Sequence, residues 1–407
     1  MKAFFDVIAI DAVLDLKEQF RKVQSGRIAL EDLLGRFLAE DIVADRDIPG
    51  FDRSTMDGYA VKAASTFGAS EANPAYLNVV GAVGMGQVPE HRVGPGEASR
   101  IATGGMLPQG ADSVVMIEHA DAVDETTIEV YRSVAPGRHV VARDEDAAAG
   151  AVMLQAGCRL RAQEIGLLAA LGQPAATVFD LPRVGIVSTG DEVVPVDADP
   201  SPGQVRDVNA YTLAALVQQA GGRPIRYGIV KDQYDELMDV CRRALAETDM
   251  VLVSGGSSVG TRDLTVDVLS ALEESAILVH GVSISPGKPT ILARCGSKAF
   301  WGLPGHVTSA MVVFMVLVRP FLIHIGGGAA EAPVRVRARL SRNVASSQGR
   351  VDFVRVQLVE SQGELWAEPV LGASGLIRTM VAADGLVAVD ENSEGLDKGT
   401  EVDVILF

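Results

Sequence analysis

Apolar positions along this chain switch between a helical and a strand period, and the switches mark its domains. Over residues 1–45 the spacing is helical: Val13, Leu14, Phe20 and Val23 recur first, and a second apolar helix covers Leu30–Ala39. From about Leu77 to Val141 short β-branched runs alternate with turns such as Gly84-Met85-Gly86, Gly94-Pro95-Gly96 and Pro136-Gly137, which predicts strands. Helical spacing returns over Gln163–Leu171 and stops at Gly172, a residue type that ends helices readily. The helical stretches pair to predict a discontinuous helical domain, 1–45 with 146–180, and an inserted β-rich domain, 46–145.

Residues 181–326 alternate strand and helix throughout. Strands are predicted at Val184–Val187, Ile225–Val230, Val251–Val253, Val279–Ile284, Thr290–Ala293 and Phe300–Leu303. Helices are predicted at Asn209–Ala220, at Asp232–Ala246 and from Leu264. Thr308–Ile325 is the most membrane-like stretch, but Arg319, Pro320 and His324 interrupt it, so it reads as a buried helix. This βαβα rhythm predicts a doubly wound α/β sheet. Beyond the linker Gly326–Ala330, alternating runs at Val334–Ala338, Phe353–Leu358, Leu386–Val389 and Val402–Leu406 predict a C-terminal all-β domain, 327–407. Ser374–Ile377 reads as a turn leading into a short helix. The fold class is therefore multidomain, α/β plus β.

Composition narrows the function. With 407 residues the chain is too long for one core. Hydrophobic residues at 48% and charged residues at 22% are ordinary for a folded soluble protein. A net charge of −17 argues against nucleic acid and anionic membrane as partners. Cys158, Cys241 and Cys295 are far apart with no CxxC pair, which suits a reducing cytoplasm. The N-terminus carries Asp6, Asp11 and Asp15 among its apolar residues and is not a secretory signal.

The stretch Asp249–Asp263 runs from a short apolar strand through Ser254-Gly255-Gly256-Ser257-Ser258-Val259-Gly260 to a helix start. Glycines allow close backbone approach, and free N–H groups with the helix dipole face an anion. Asp263 is either an N-cap or a metal or substrate carboxylate. Ligands of doubly wound sheets bind beyond the carboxyl ends of the strands. Ser188–Glu192, Ser254–Gly260, Ser285–Lys288 and Leu303–His306 all fall at such ends, and their convergence predicts a phosphate-bearing ligand. Upstream, Asp52, Arg53, Ser54, Thr55 and Asp57 crowd one loop, and Thr103 offers a hydroxyl in a Thr-Gly-Gly turn.

Taken together, Met56-Asp57-Gly58-Tyr59-Ala60-Val61, Thr103-Gly104 with Gly110-Ala111-Asp112, Ser188-Thr189-Gly190-Asp191-Glu192, Ser254-Gly255-Gly256 with Val259-Gly260 and Asp263, Pro286-Gly287-Lys288-Pro289, and Leu303-Pro304-Gly305 resemble the molybdopterin molybdenumtransferase family. That family includes MoeA and the E domain of gephyrin, and the motifs follow family order over nearly the whole chain. The resemblance implies four domains, with the sheet domain similar to MogA, the smaller enzyme that adenylylates molybdopterin. It implies a head-to-head homodimer whose sites draw on both subunits. The implied substrates are adenylyl-molybdopterin and molybdate or tungstate, the implied cofactor is Mg²⁺, and AMP leaves. The molybdopterin adenylyltransferase is a further implied partner.

By motif, Asp57, Thr103, Glu192 and Asp263 are expected as catalytic residues, with Asp146 in addition. Ser188, Thr189, Gly190, Asp232, Ser254, Gly255, Gly256, Gly260, Pro286, Gly287, Lys288, Pro304 and Gly305 are expected to bind substrate. Lys288, Arg350 and Ser374 are expected beside molybdate, and Glu192 and Asp263 beside the metal. A divalent cation bridging carboxylates and phosphates would resolve the repulsion between this acidic set and an anhydride. The chain departs from the family at His306-Val307, where Asn-Pro is usual, and at Ser285, where lysine is common. A histidine, with a reference pKa of about 6.5, can restore positive charge or sit neutral at a helix start. Two other readings share these motifs: an adenylyltransferase on the same sheet domain, and a non-catalytic molybdopterin-binding scaffold.

Overall fold

Met250–Ser254 is buried at every position, as a strand covered on both faces must be. It lies inside a six-stranded sheet. In chain order the strands are β1 (Arg183–Thr189), β2 (Arg223–Val230), β3 (Met250–Ser254), β4 (Ser275–His280), β5 (Ile291–Cys295) and β6 (Lys298–Leu303). They stand in the order β2-β1-β3-β6-β5-β4. The pairs β1–β2, β1–β3 and β3–β6 are parallel, whereas β5 is antiparallel to both β6 and β4. Cys295 pairs with Lys298 across a two-residue turn, too short for the crossover a parallel pair needs. The computed structural model describes residues 7–255 and 264–407.

Helices cover both faces. Helix α1 (Asn209–Gln219) packs with the long helix from Val307 to Ile325 over Ile186, Leu252 and Trp301. On the other face α2 (Tyr234–Glu247) and α3 (Leu264–Ala271) bury Val187, Val251, Val253 and Phe300. The long helix is apolar enough to cross a membrane by length and composition, yet 67% of its apolar window is buried inside the protein. Phe321 from this helix meets Trp301 edge-on at 5.0 Å between ring centroids. A π turn, Phe314–Val318, precedes Pro320, whose ring cannot donate to the carbonyl one turn back.

This sheet belongs to a unit made of Met1–Glu40, Ala156–Arg161 and Ala175–Phe407. Its N-terminal part corrects one expectation. Residues Ile10–Gln19 are helical, but Leu30–Ala39 holds only a single 3₁₀ turn, Leu30–Asp32. Gly35 takes φ +79°, which ends helical continuation, and Phe37 and Leu38 bridge to Arg159 and Val178. Ser25–Ala29 pairs antiparallel with Ala175–Phe179.

The C-terminal sheet contains Arg335–Leu340, Val351–Ser361, Gly385–Val389 and Glu401–Leu406, as the pattern predicts, and a further strand, Glu364–Pro369. That strand closes a hairpin over Gln362-Gly363, both at positive φ, the geometry of a tight primed turn. One short strand, Ile284–Ser285, pairs parallel with Val351–Asp352 and ties the loop after β4 to this sheet.

The second unit, Asp41–Gln155 with Ala162–Pro174, contains the β-rich stretch predicted over Leu77–Val141. It also contains Ala162–Ala170, its one α-helix among the described residues, which the sequence pattern pairs with residues 1–45 instead. Its six-stranded sheet sets Gly58–Val61 between Glu97–Ile101 and Ser113–Met116. At Gly58 a Cβ would lie 1.9 Å from the Val115 carbonyl oxygen, so only glycine fits after Asp57. Gly58→Ala should therefore destabilise this unit by about 1–3 kcal/mol, the usual cost of overpacking. Urea unfolding measures it, and an unchanged midpoint would contradict the close approach.

Candidate functional site

The turns leaving the carboxyl edge of the sheet enclose one cavity of about 1020 Å³. Ser188, Thr189, Gly190 and Glu192 follow β1, Asp232 follows β2, and Ser254 and Gly255 end β3. Pro286, Gly287 and Lys288 form the loop after β4, and Pro304, Gly305 and His306 follow β6. All of them line the cavity, so the predicted convergence of turns holds for these residues.

Their positions have local causes. Gly255 has φ +102°, and a Cβ there would stand 2.2 Å from the Thr189 carbonyl oxygen. Its N–H donates to the Leu303 carbonyl at 3.2 Å. The ends of β1, β3 and β6 can thus touch only through a residue without a side chain. The Thr189 hydroxyl donates to Asp232 Oδ1 at 2.5 Å, and the Asp232 N–H reaches Asp191 Oδ1 at 3.3 Å. The loop after β4 is pinned by Val282 N–H to the Lys288 carbonyl (3.0 Å) and by the Thr290 hydroxyl to the Gly287 carbonyl (2.6 Å).

Sequence reasoning missed Asn209, which lines the same cavity. Its Nδ2 donates to the Gly305 carbonyl at 2.8 Å, while its Oδ1 is buried with no partner among the described residues. Ser188 Oγ and Ser254 Oγ are buried and unpartnered too. An asparagine at a helix start reads as a cap from sequence, and only its contact 96 residues away distinguishes it. Asp207 performs the capping instead, accepting from Ala210 N–H at 3.0 Å.

A cationic wall closes one side. Lys288, Arg350 and Ser374 all line the cavity. Arg350 Nε lies 3.2 Å from Asp352 Oδ1, and Ser346 Oγ donates to Asp352 Oδ2 at 2.5 Å. His306 Nδ1 lies 2.7 Å from Ser374 Oγ, and Thr308 N–H donates to the Ser374 carbonyl at 3.1 Å. The second unit brings Asp57 and Thr103 together. Asp57 Oδ1 accepts from Thr103 N–H at 2.7 Å and from the Thr103 hydroxyl at 3.1 Å. These bonds, the backbone one foremost, hold the Asp57 carboxyl below the usual carboxylate range.

Family models match in order along the chain: "MoeA N-terminal region (domain I and II)" over residues 8–172, "Probable molybdopterin binding domain" over 185–324, and "MoeA C-terminal region (domain IV)" over 337–407. A Methanocaldococcus jannaschii protein named for molybdopterin biosynthesis is 36% identical, with 98% of this chain and 96% of its own length covered. The chain belongs to the MoeA family. The molybdopterin molybdenumtransferase of Bacillus subtilis is 33% identical over 93% of this chain and 89% of its own. The crystal structure of a Pyrococcus horikoshii molybdopterin biosynthesis MoeA protein superposes with TM-score 0.85 at 31% identity, covering 99% of this chain and all of that one.

Against the residues expected from the MoeA family, the cavity unites Ser188, Thr189, Gly190, Glu192, Asp232, Ser254, Gly255, Pro286, Gly287, Lys288, Pro304, Gly305, Arg350 and Ser374. Gly256, Gly260 and Asp263 lie outside the described residues. Asp146 is exposed, and its N–H donates to the Ile48 carbonyl at 3.0 Å. Ser285 lines the cavity without charge, and His306 makes the contact to Ser374 described above. Among the described residues no group of three or more His, Cys, Asp or Glu could hold a metal ion. Mg²⁺ commonly takes one or two carboxylates and completes its shell with phosphate and water, so Glu192 on the cavity wall fits that role.

Because its pKa is depressed, Asp57 stays ionised below about pH 3.9, the ordinary aspartate value. Any stabilisation from its pairing is complete above that value and is lost as pH falls through the lower, folded-state one. Thr103→Val removes one of the two donors. Carboxyl ¹³C titration should then show Asp57 titrating at higher pH than in the wild type, and an unmoved titration would remove Thr103's hydroxyl from the account.

Proposed function

We propose that this chain is a molybdopterin molybdenumtransferase that joins molybdate, or tungstate, to adenylylated molybdopterin and releases AMP. The chain acts in molybdenum cofactor biosynthesis as a transferase. The observation that carries the finer reading is the union, in one cavity, of glycine-rich strand ends with Lys288 and Arg350. Strand-end N–H groups suit phosphates, and paired cations with hydroxyl donors suit a compact dianion.

Roles follow from chemistry. Ser188, Ser254 and Asn209 offer buried polar atoms to the substrate. Thr189 fixes Asp232 at the rim. Asp57, kept ionised by Thr103, is an acceptor able to orient a water or a substrate proton. Glu192, with Asp263, would hold Mg²⁺, which when bound offsets the charge of the phosphoanhydride. Exchange of oxo ligands for dithiolene sulfurs needs no redox partner, so positioning and electrostatics suffice. The same reading makes the enzyme a cytoplasmic homodimer whose sites draw on both subunits, with molybdopterin adenylyltransferase supplying its substrate.

Purified protein with adenylyl-molybdopterin and Mg²⁺ should release AMP when molybdate or tungstate is added. No anion-dependent release with either would refute the enzyme. Glu192→Gln should raise the Mg²⁺ concentration needed for half-maximal rate by about tenfold or more, and an unchanged requirement would take Glu192 away from the metal.

A further inference from the structure

Arg355 stands on the strand Val351–Ser361, half-buried, on the C-terminal sheet. Its guanidinium forks across the base of one loop. Nη1 donates to Thr379 Oγ1 at 2.6 Å and Nη2 to the Gly372 carbonyl at 2.7 Å. Thr379 in turn donates its hydroxyl to the Leu376 carbonyl at 2.6 Å. Between these anchors lie Ser374 and Gly375, which line the cavity. The loop is held at its other side by His306 Nδ1 at Ser374 Oγ and by Thr308 N–H at the Ser374 carbonyl. Among the described residues no carboxylate lies within ion-pair distance of Arg355, and its Nε is buried without a partner.

A half-buried cation bound only to neutral acceptors is a costly choice for a loop staple. A neutral side chain could close the same turn, so the charge calls for a second role. We propose that Arg355 is a positioning residue for oxyanion capture: it fixes the Ser374 loop and adds an unneutralised positive charge behind it. This rests on the reading of Lys288, Arg350 and Ser374 as the oxyanion wall. Arg355 does not touch the anion; it acts through the loop and through its field. A fixed loop keeps Ser374 Oγ aimed, so less ordering remains when the anion arrives. The uncompensated charge favours a dianion over a monoanion or neutral occupant.

The test is oxyanion-dependent AMP release by the full-length protein, with KM taken separately for molybdate and for adenylyl-molybdopterin. Arg355→Met should raise KM for molybdate about tenfold, the worth of a lost charge-assisted clamp, with KM for adenylyl-molybdopterin within about twofold. Arg355→Lys, which keeps the charge and loses the fork, should recover part of that loss, and raised ionic strength should narrow the gap between Met and Lys. Thr379→Val loosens the base while leaving Arg355 in place, and should shift the molybdate KM in the same direction by less. It keeps the inference testable if Arg355→Met does not fold. An unchanged molybdate KM in the folded variants overturns the role of Arg355. Equal losses for both substrates, tracking the melting temperature, make the residue a structural staple only and overturn it too. A wild-type protein that answers neither anion overturns the underlying oxyanion reading instead.

Discussion

The close approach of backbones at Gly255 is the constraint on which the cavity depends. A Cβ there would stand 2.2 Å from the Thr189 carbonyl oxygen, and the Gly255 N–H is bound to Leu303. Any side chain would push the end of β3 away from β1 and β6, opening the ring of turns from its centre. Because the three ends stay together, Thr189 can hold Asp232, and Asn209 can reach the Gly305 carbonyl. The second constraint is the pairing of Ile284–Ser285 with Val351–Asp352. It brings Arg350 to the cavity that Lys288 also lines, so the lining draws on both the α/β sheet and the C-terminal sheet.

Electrostatics fits this construction. The chain has a net charge of −17, which repels anions at long range, so any anion held here would depend on local cations. Lys288 and Arg350 line the cavity. Asp352 lies against Arg350, and Ser346 binds the carboxylate's other oxygen. A carboxylate bound on both oxygens orients the arginine without swinging into the anion's place. Ser285, where the resemblance leads one to expect lysine, lines the cavity without charge, and His306, also on the lining, lies against Ser374.

The inner strands of the α/β sheet were legible because burial on both faces writes them as apolar runs, as at Val251–Val253. At the edge, the strand predicted over Val279–Ile284 is instead Ser275–His280, whose half-exposed positions break the run. Ile284 belongs to a short strand that joins the C-terminal sheet. Leu30–Ala39 misled for a physical reason. Leu30, Leu33, Leu34, Phe37 and Leu38 have helical spacing, but Gly35 at φ +79° and bridges from Phe37 and Leu38 to other segments override it. Glu364–Pro369 escaped notice because its apolar run is too short, although Gln362-Gly363 carried the turn signal. In the site, glycine turns were legible and long-range partners were not. His306 finds Ser374 across 68 residues, and Asn209 finds Gly305 across 96; no local pattern encodes either contact.

What separates this cavity from an ordinary loop junction is the state of its polar atoms. Ser188 Oγ, Ser254 Oγ and Asn209 Oδ1 are buried without partners among the described residues, each at a cost on the order of 1–3 kcal/mol when left unmade. Folding alone would favour Ala or Val at such positions, since neighbouring positions on the same strands are apolar, as at Val187 and Val253. All three residues line one cavity, and each keeps there a polar atom that the described residues leave unused. Asn209 sharpens the point, because its amide is already used to hold Gly305 and only its carbonyl oxygen is spare. That fixes the polarity of what is spare: the amide oxygen can only accept, whereas the two serine hydroxyls can donate or accept.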